Sequence, residues 1–271
     1  MMGAKVNSSA GEVPVGKLDV QLGDEVVRLR AELAEQERAL RAREEEFGRY
    51  ISRLRDALRQ EKRQAEVVSH SYVAAVRALT NAVEARDAYT GKHAERVAAY
   101  GLELALLIDP TLANDPETEF GFLLHDVGKV AVPDSILHKP SALSRKEMGV
   151  MRQHPVKGFE IVSHIDFLDG NAQRIVRFHH ERWDGDGYPD RIKGRDIPLA
   201  ARIFAVADTL DAITSDRPYR RGASVADARA EIGRGSGTQF DPQAVEALMA
   251  VPDDVLEHIR TETVLTSTAA P

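Results

Sequence analysis

Five histidines and two aspartates carry the chemical interest of this chain of 271 residues, which has nine histidines and no cysteine. Without thiolate, a metal site must use imidazole nitrogen and carboxylate oxygen, a donor set suited to Fe, Mn, Zn or Ni. His125 and Asp126 open the string His125-Asp126-Val127-Gly128-Lys129, directly after the apolar Phe122-Leu123-Leu124. At a helix end the imidazole offers one ligand, and the carboxylate has two oxygens that can span two ions. Gly128 permits a sharp turn, and Lys129 brings a positive charge suited to a phosphate oxygen. The same pentapeptide also reads as a capped helix end with a hydrogen-bonded histidine.

The string His179-His180-Glu181-Arg182-Trp183-Asp184-Gly185-Asp186-Gly187-Tyr188-Pro189 is more specific. Two adjacent imidazoles follow apolar Ile175, Val176 and Phe178, so metal or a polar network must satisfy them if they are buried. The turn-rich segment after them can present Tyr188 over a cleft. Three further residues stand alone: His93 at the start of a helix, His154 before Pro155, and Asp208 within Val206-Ala207-Asp208-Thr209-Leu210-Asp211-Ala212. A carboxylate on that small, apolar face is costly unless paired. Each of the three reads equally well as a satisfied core residue. Pooled, the seven supply enough donors for two ions with positions open to water. Asp211, one turn after Asp208, is placed to orient a ligand from behind. His70, His138, His164 and His258 read as surface or structural histidines.

The elements that must position these residues read almost wholly as helices. Residues 1–20 are small and polar and read as a disordered arm. From Leu22, Gly and Pro nearly vanish and two seven-residue series appear. Val26, Leu33, Leu40, Phe47 and Leu54 stay apolar, while Leu22, Leu29, Gln36, Arg43, Tyr50 and Ala57 turn polar in the middle. Residues 21–68 therefore read as a coiled-coil helix that pairs two chains, in preference to a single solvated helix. After Val68 the repeat shifts to Tyr72, Val76, Leu79 and Val83, which marks the start of a globular domain over 69–260, with 261–271 as a flexible tail. Ser144 with Glu147, Ser224 with Asp227, and Asp241 before Pro242 mark helix starts. No stretch alternates as a strand would.

Hydrophobic residues make up 43% and charged residues 29%, enough for a core. The net charge of −7 argues against general DNA or RNA binding, which needs a basic surface. No apolar run approaches bilayer length and no secretory signal opens the chain, so a cytoplasmic location is expected.

On the His93, His125-Asp126-x-Gly-Lys129, His154-Pro155, His179-His180-Glu181 to Gly187-Tyr188-Pro189 and Asp208 elements, the chain resembles the HD-GYP family of HD phosphohydrolases from about Ser69 to Met249. The resemblance implies an all-α bundle, here preceded by the long helix. It implies hydrolysis of cyclic di-GMP to the linear dinucleotide pGpG or to GMP by a hydroxide that two divalent ions activate. The ions expected are Fe or Mn, with Ni or Zn as alternatives. Carried over residue by residue, His93, His125, Asp126, His154, His179, His180 and Asp208 become ligands, with Asp126 as the bridge. Asp126 and Lys129 become catalytic, and Lys129, Tyr188, Arg217 and Arg220 contact substrate. Diguanylate cyclase domains are a further partner class. Some members hold a third ion with a Glu four residues before the first histidine; Tyr89 stands there, so two ions are expected. Two competing readings remain: a non-hydrolysing cyclic-dinucleotide receptor or scaffold, and an HD phosphohydrolase acting on another nucleotide.

Overall fold

The computed structural model describes residues 15–86, 92–216 and 221–265. The Glu- and Arg-rich stretch forms α1, Val15–Arg86, a helix of 72 residues. The helix begins inside the stretch read as an arm. It stays unbroken where the heptad series shifts; what changes there is the buried face. Val76, Thr80 and Val83, one turn apart, enter the core, whereas the side chains of residues 22–50 are all exposed.

The chain divides into two compact units, residues 1–69 and 70–271. Within the second unit the helices after α1 are α2 (His93–Ile108), α3 (Pro110–Ala113), α4 (Pro116–Leu124), α5 (Asp134–Leu137), α6 (Arg145–Met151), α7 (His154–Val162), α8 (Asn171–Phe178), α9 (Leu199–Thr214), α10 (Val225–Arg234), α11 (Pro242–Ala250) and α12 (Asp253–Leu265). Helix α12 continues into the stretch read as a tail. Among the described residues there is no strand; a lone bridge joins Ser236 and Phe240. The fold is all-α.

Helix starts follow local chemistry. Asp115 accepts from the Glu117 amide and precedes Pro116, which lacks the amide that a first turn would leave unpaired. Asp241 and Pro242 repeat that arrangement at α11. Ser144 and Glu147 complete a reciprocal capping box at α6. The core is an aliphatic and aromatic cluster in which Tyr100, Leu104, Phe122, Ile175, Phe204 and Leu210 are fully buried. Helix α2 packs on α4 and α9, and α4 packs on α8.

One contact sets the spacing of the chemical elements. Directly after α4 the chain turns through a 3-10 helix, Val127–Ala131. A Cβ on Gly128 would stand 1.9 Å from the His154 carbonyl oxygen and 2.4 Å from the Gly158 nitrogen. Only a residue without a side chain lets this turn lie against the start of α7. Gly128→Ala is expected to destabilise the fold by on the order of 3 kcal/mol, read as a lower denaturation midpoint; an unchanged midpoint would show that the two segments can part freely.

Candidate metal centre

Three histidines close three helix ends in the same way. The last carbonyls of an α-helix have no partner within the helix. His125 caps α4 and its Nδ1 lies 2.9 Å from the Phe122 carbonyl oxygen; His179 caps α8 with its Nδ1 2.9 Å from Val176 O. The Nδ1 of His154 lies 2.8 Å from the carbonyl of Met151, the last residue of α6. A carbonyl only accepts, so each Nδ1 must carry the proton and each Nε2 presents a bare lone pair. His93, first residue of α2, is oriented differently: its Nδ1 donates to Asp211 Oδ2 at 2.7 Å.

These lone pairs converge. His154 Nε2 is 3.1 Å from His179 Nε2 and 3.2 Å from Asp126 Oδ1. His125 Nε2 is 3.1 Å from Asp126 Oδ2, and His93 Nε2 is 3.4 Å from Asp208 Oδ1. The ligand atoms of Asp126, His154, His179 and His180 all lie within 4.8 Å of one another. Acceptor facing acceptor at these distances is repulsive unless a cation lies between them. Donors about 2.1 Å from an ion stand roughly 3.0–3.4 Å apart, so the spacing fits a metal site. A shared proton is a poor substitute at His179 and His180. Burial, then neighbouring imidazoles, hold His179 well below the usual histidine range; burial and His154 bring His180 down to about 3.

Each oxygen of Asp126 meets a different histidine, Oδ1 that of His154 and Oδ2 that of His125. Burial opposes its ionisation, yet the neighbouring His125 ring and the Lys129 ammonium keep its carboxyl well below the ordinary range. Lys129 Nζ lies 2.7 Å from Asp126 Oδ2.

Asp211 stands behind His93 as expected, whereas Asp208 is less buried than its apolar helix face suggested. Asp208 keeps 30% of its side chain exposed at the mouth of the centre, while Asp211 is completely buried. Asp211 takes Arg96 Nε at 2.5 Å and the His93 ring on its other oxygen. Arg96 had no role in the sequence; its signal was a basic residue one turn after His93, facing the apolar side of α2. Glu181 is also buried, and its Oε1 accepts from the amides of Asp190 and Arg191 at 2.7 and 2.9 Å, which folds the loop back under Tyr188. The Tyr188 ring stacks on His180 at 4.6 Å, and the Arg152 guanidinium lies 5.2 Å from its centroid. Arg152 escaped notice because an isolated Arg two residues before His154 has no pattern to mark it. Arg217, Arg220 and Tyr89 lie outside the described residues.

The HD domain family profile matches residues 77–244, more than half of the chain. The chain belongs to the HD domain family. Among curated proteins it is 42% identical over 179 residues to a 3′3′-cGAMP-specific phosphodiesterase 2 of Vibrio cholerae, covering 66% of this chain and 34% of that one. It is 39% identical over 181 residues to a cyclic di-GMP phosphodiesterase of Thermotoga maritima, covering 66% and 49%. The matched part thus spans between a third and a half of those relatives. A solved cyclic GMP-AMP phosphodiesterase structure from V. cholerae shares the fold at a TM-score of 0.54 and 19% identity, covering 72% of this chain and 53% of that one.

Within this HD domain the histidines should titrate apart. Burial works against the protonated form of His93, but the Asp211 bond and the Asp208 charge prevail and raise it above 6.5. As pH falls in the metal-free protein, His93 should gain a proton before a free imidazole would, while His180 stays neutral to about pH 3. Ring-nitrogen NMR checks this; His180 titrating near 6.5 would contradict it. Asp211→Asn, which removes the charge behind His93, should weaken metal affinity by roughly 10–100-fold in a chelator competition.

Proposed function

We propose that the chain is a metal-dependent phosphodiesterase that hydrolyses a cyclic dinucleotide, cyclic di-GMP in the first instance, to pGpG or GMP. The observation that carries this reading is the set of Nε2 lone pairs fixed around the two oxygens of Asp126. His154, His179 and His180 with Asp126 would hold one divalent ion, and His93, His125 and Asp208 with Asp126 a second; Fe or Mn suits these donors best. Such ions, when bound, polarise phosphoryl oxygens and make water acidic enough to act as a nucleophile near neutral pH.

The chain's own residues would do the rest. Lys129, beside Asp126, offers its ammonium to a phosphate oxygen as negative charge develops. Burial pushes the Tyr188 phenol up, so it stays protonated and serves as a hydrogen-bond donor over the centre. Two cavities share His180 and Asp208 in their walls. One, of about 190 Å³, is lined by Thr80, Val83, Leu124, Val127 and Ala212; the other, of about 400 Å³, by Arg152, Arg182, Tyr188, Thr209 and Gln239. A ligand with two bases joined through phosphates suits two cavities that meet at a cation site. The names of the relatives support the cyclic dinucleotide, and they include both the guanine–guanine and the mixed guanine–adenine ring.

We further propose that residues 22–68 pair two chains. Leu33, Leu40, Phe47 and Leu54 recur every seven residues on one helix face and are 45–65% exposed. Among the described residues no helix is long and apolar enough to cross a membrane.

Anaerobically purified protein loaded with Fe or Mn is expected to linearise cyclic di-GMP, with 3′3′-cGAMP as the comparison ring. Asp126→Ala should lower kcat at least a thousandfold, on the order of 4 kcal/mol of transition-state stabilisation. Tight binding without turnover in any metal form would leave a receptor instead of an enzyme. For the pairing, light scattering should give twice the chain mass for the native protein and the single mass for Leu40→Glu/Phe47→Glu.

A further inference from the structure

Arg86, the last residue of α1, reaches away from its own helix. Its Nη1 donates to the carbonyls of Lys129 at 3.2 Å and Val130 at 2.7 Å. Its Nη2 donates to the Val132 carbonyl at 2.8 Å and to Asp134 Oδ1 at 2.8 Å, and Nε reaches the same carboxylate at 3.2 Å. Every guanidinium nitrogen is thus used, and three of the four acceptors named are main chain. The Asp134 carboxylate is 71% exposed, so that ion pair contributes little. The substance of the contact is the fork of donors across three successive parts of one short segment, which a lysine's point charge could not span.

That segment starts in the 3-10 helix carrying Lys129 and ends at the start of α5. The hydrogen-bond geometry of a 3-10 turn is poorer than that of an α-helix, so donors from outside add support. The Lys129 carbonyl that accepts from Arg86 also accepts from the Val132 amide at 3.0 Å, the bond that closes the turn. On its other side the turn is stopped by Gly128 against the His154 carbonyl. The Lys129 backbone is therefore gripped from two sides, and the ammonium at the end of its side chain meets Asp126 at 2.7 Å.

We propose that Arg86 is a positioning residue for Lys129, fixing the turn so that the ammonium is held at the phosphate-binding side of Asp126. The proposal rests on the phosphodiesterase reading for its kinetic consequence but not for its structural one. The bonds of Arg86 go to the carbonyls of Lys129, Val130 and Val132 and to Asp134, and it acts through that segment.

The test is a double-mutant cycle of Arg86→Lys and Lys129→Ala in the metal-loaded full chain, with amide hydrogen exchange over residues 127–134. Arg86→Lys should lower kcat on the order of tenfold to a hundredfold. KM and metal content should stay within about twofold, and exchange at Val130 to Val132 should speed up. In the Lys129→Ala background the same substitution should cost nothing further. Losses that multiply in the double variant, or exchange that does not change, would overturn the proposal. Arg86→Gln, read identically, serves if Arg86→Lys does not fold. If the native protein hydrolyses no cyclic dinucleotide, the functional reading fails, and exchange still decides whether Arg86 holds the turn.

Discussion

The centre depends on an ordinary deficit of helices: their last carbonyls lack partners. Here the carbonyls of Phe122, Met151 and Val176 are satisfied by histidine Nδ1, in each case from three residues further along. One hydrogen bond does two things. It completes the helix end, and it fixes the imidazole tautomer so that Nε2 has no proton to give. A cation shared between the ring and its neighbouring acceptors would relieve the repulsion between them.

The remaining parts bring those ends together. Gly128 lets the turn after α4 lie on the start of α7, which carries His154 to Asp126. Helix α9 supplies Asp208 and, one turn on, Asp211, whose burial is tolerable only because His93 and Arg96 both bond to it. Small residues and buried charges thus serve the same end, short distances between helix termini. The burial that holds His179 and His180 neutral leaves their lone pairs available at physiological pH.

The cluster of Asp126, His154, His179 and His180 was approachable from the sequence because its members stand beside markers of helix ends or turns: Leu124 before His125-Asp126, Pro155 after His154, the glycines after His180. The all-α class was equally legible from the scarcity of alternating patterns and the frequency of capping residues. Asp211 was legible as the residue behind a ligand, where it bonds to His93, but the depth of Asp208 was not, since a residue's place on a helix gives its face but not its depth. Arg86, Arg96 and Arg152 were invisible for a related reason. A lone arginine has a long side chain whose partners are far off in sequence: Asp211 lies 115 residues from Arg96, and Lys129 lies 43 from Arg86. Glu181 was legible as part of a string, but its task of folding the loop under Tyr188 belongs to backbone amides that no side-chain pattern reveals.

The central claim is that the Nε2 atoms of these histidines surround cations shared through Asp126. A crystal of Mn-loaded protein, measured for anomalous scattering on both sides of the manganese edge, tests it most directly. The account predicts two peaks with the Asp126 carboxylate between them, one against His154, His179 and His180 and the other against His93, His125 and Asp208, all ligated through Nε2. Ligation through Nδ1, which would require the bonds to the helix carbonyls to break, or fully loaded protein with no peak at Asp126, would contradict it.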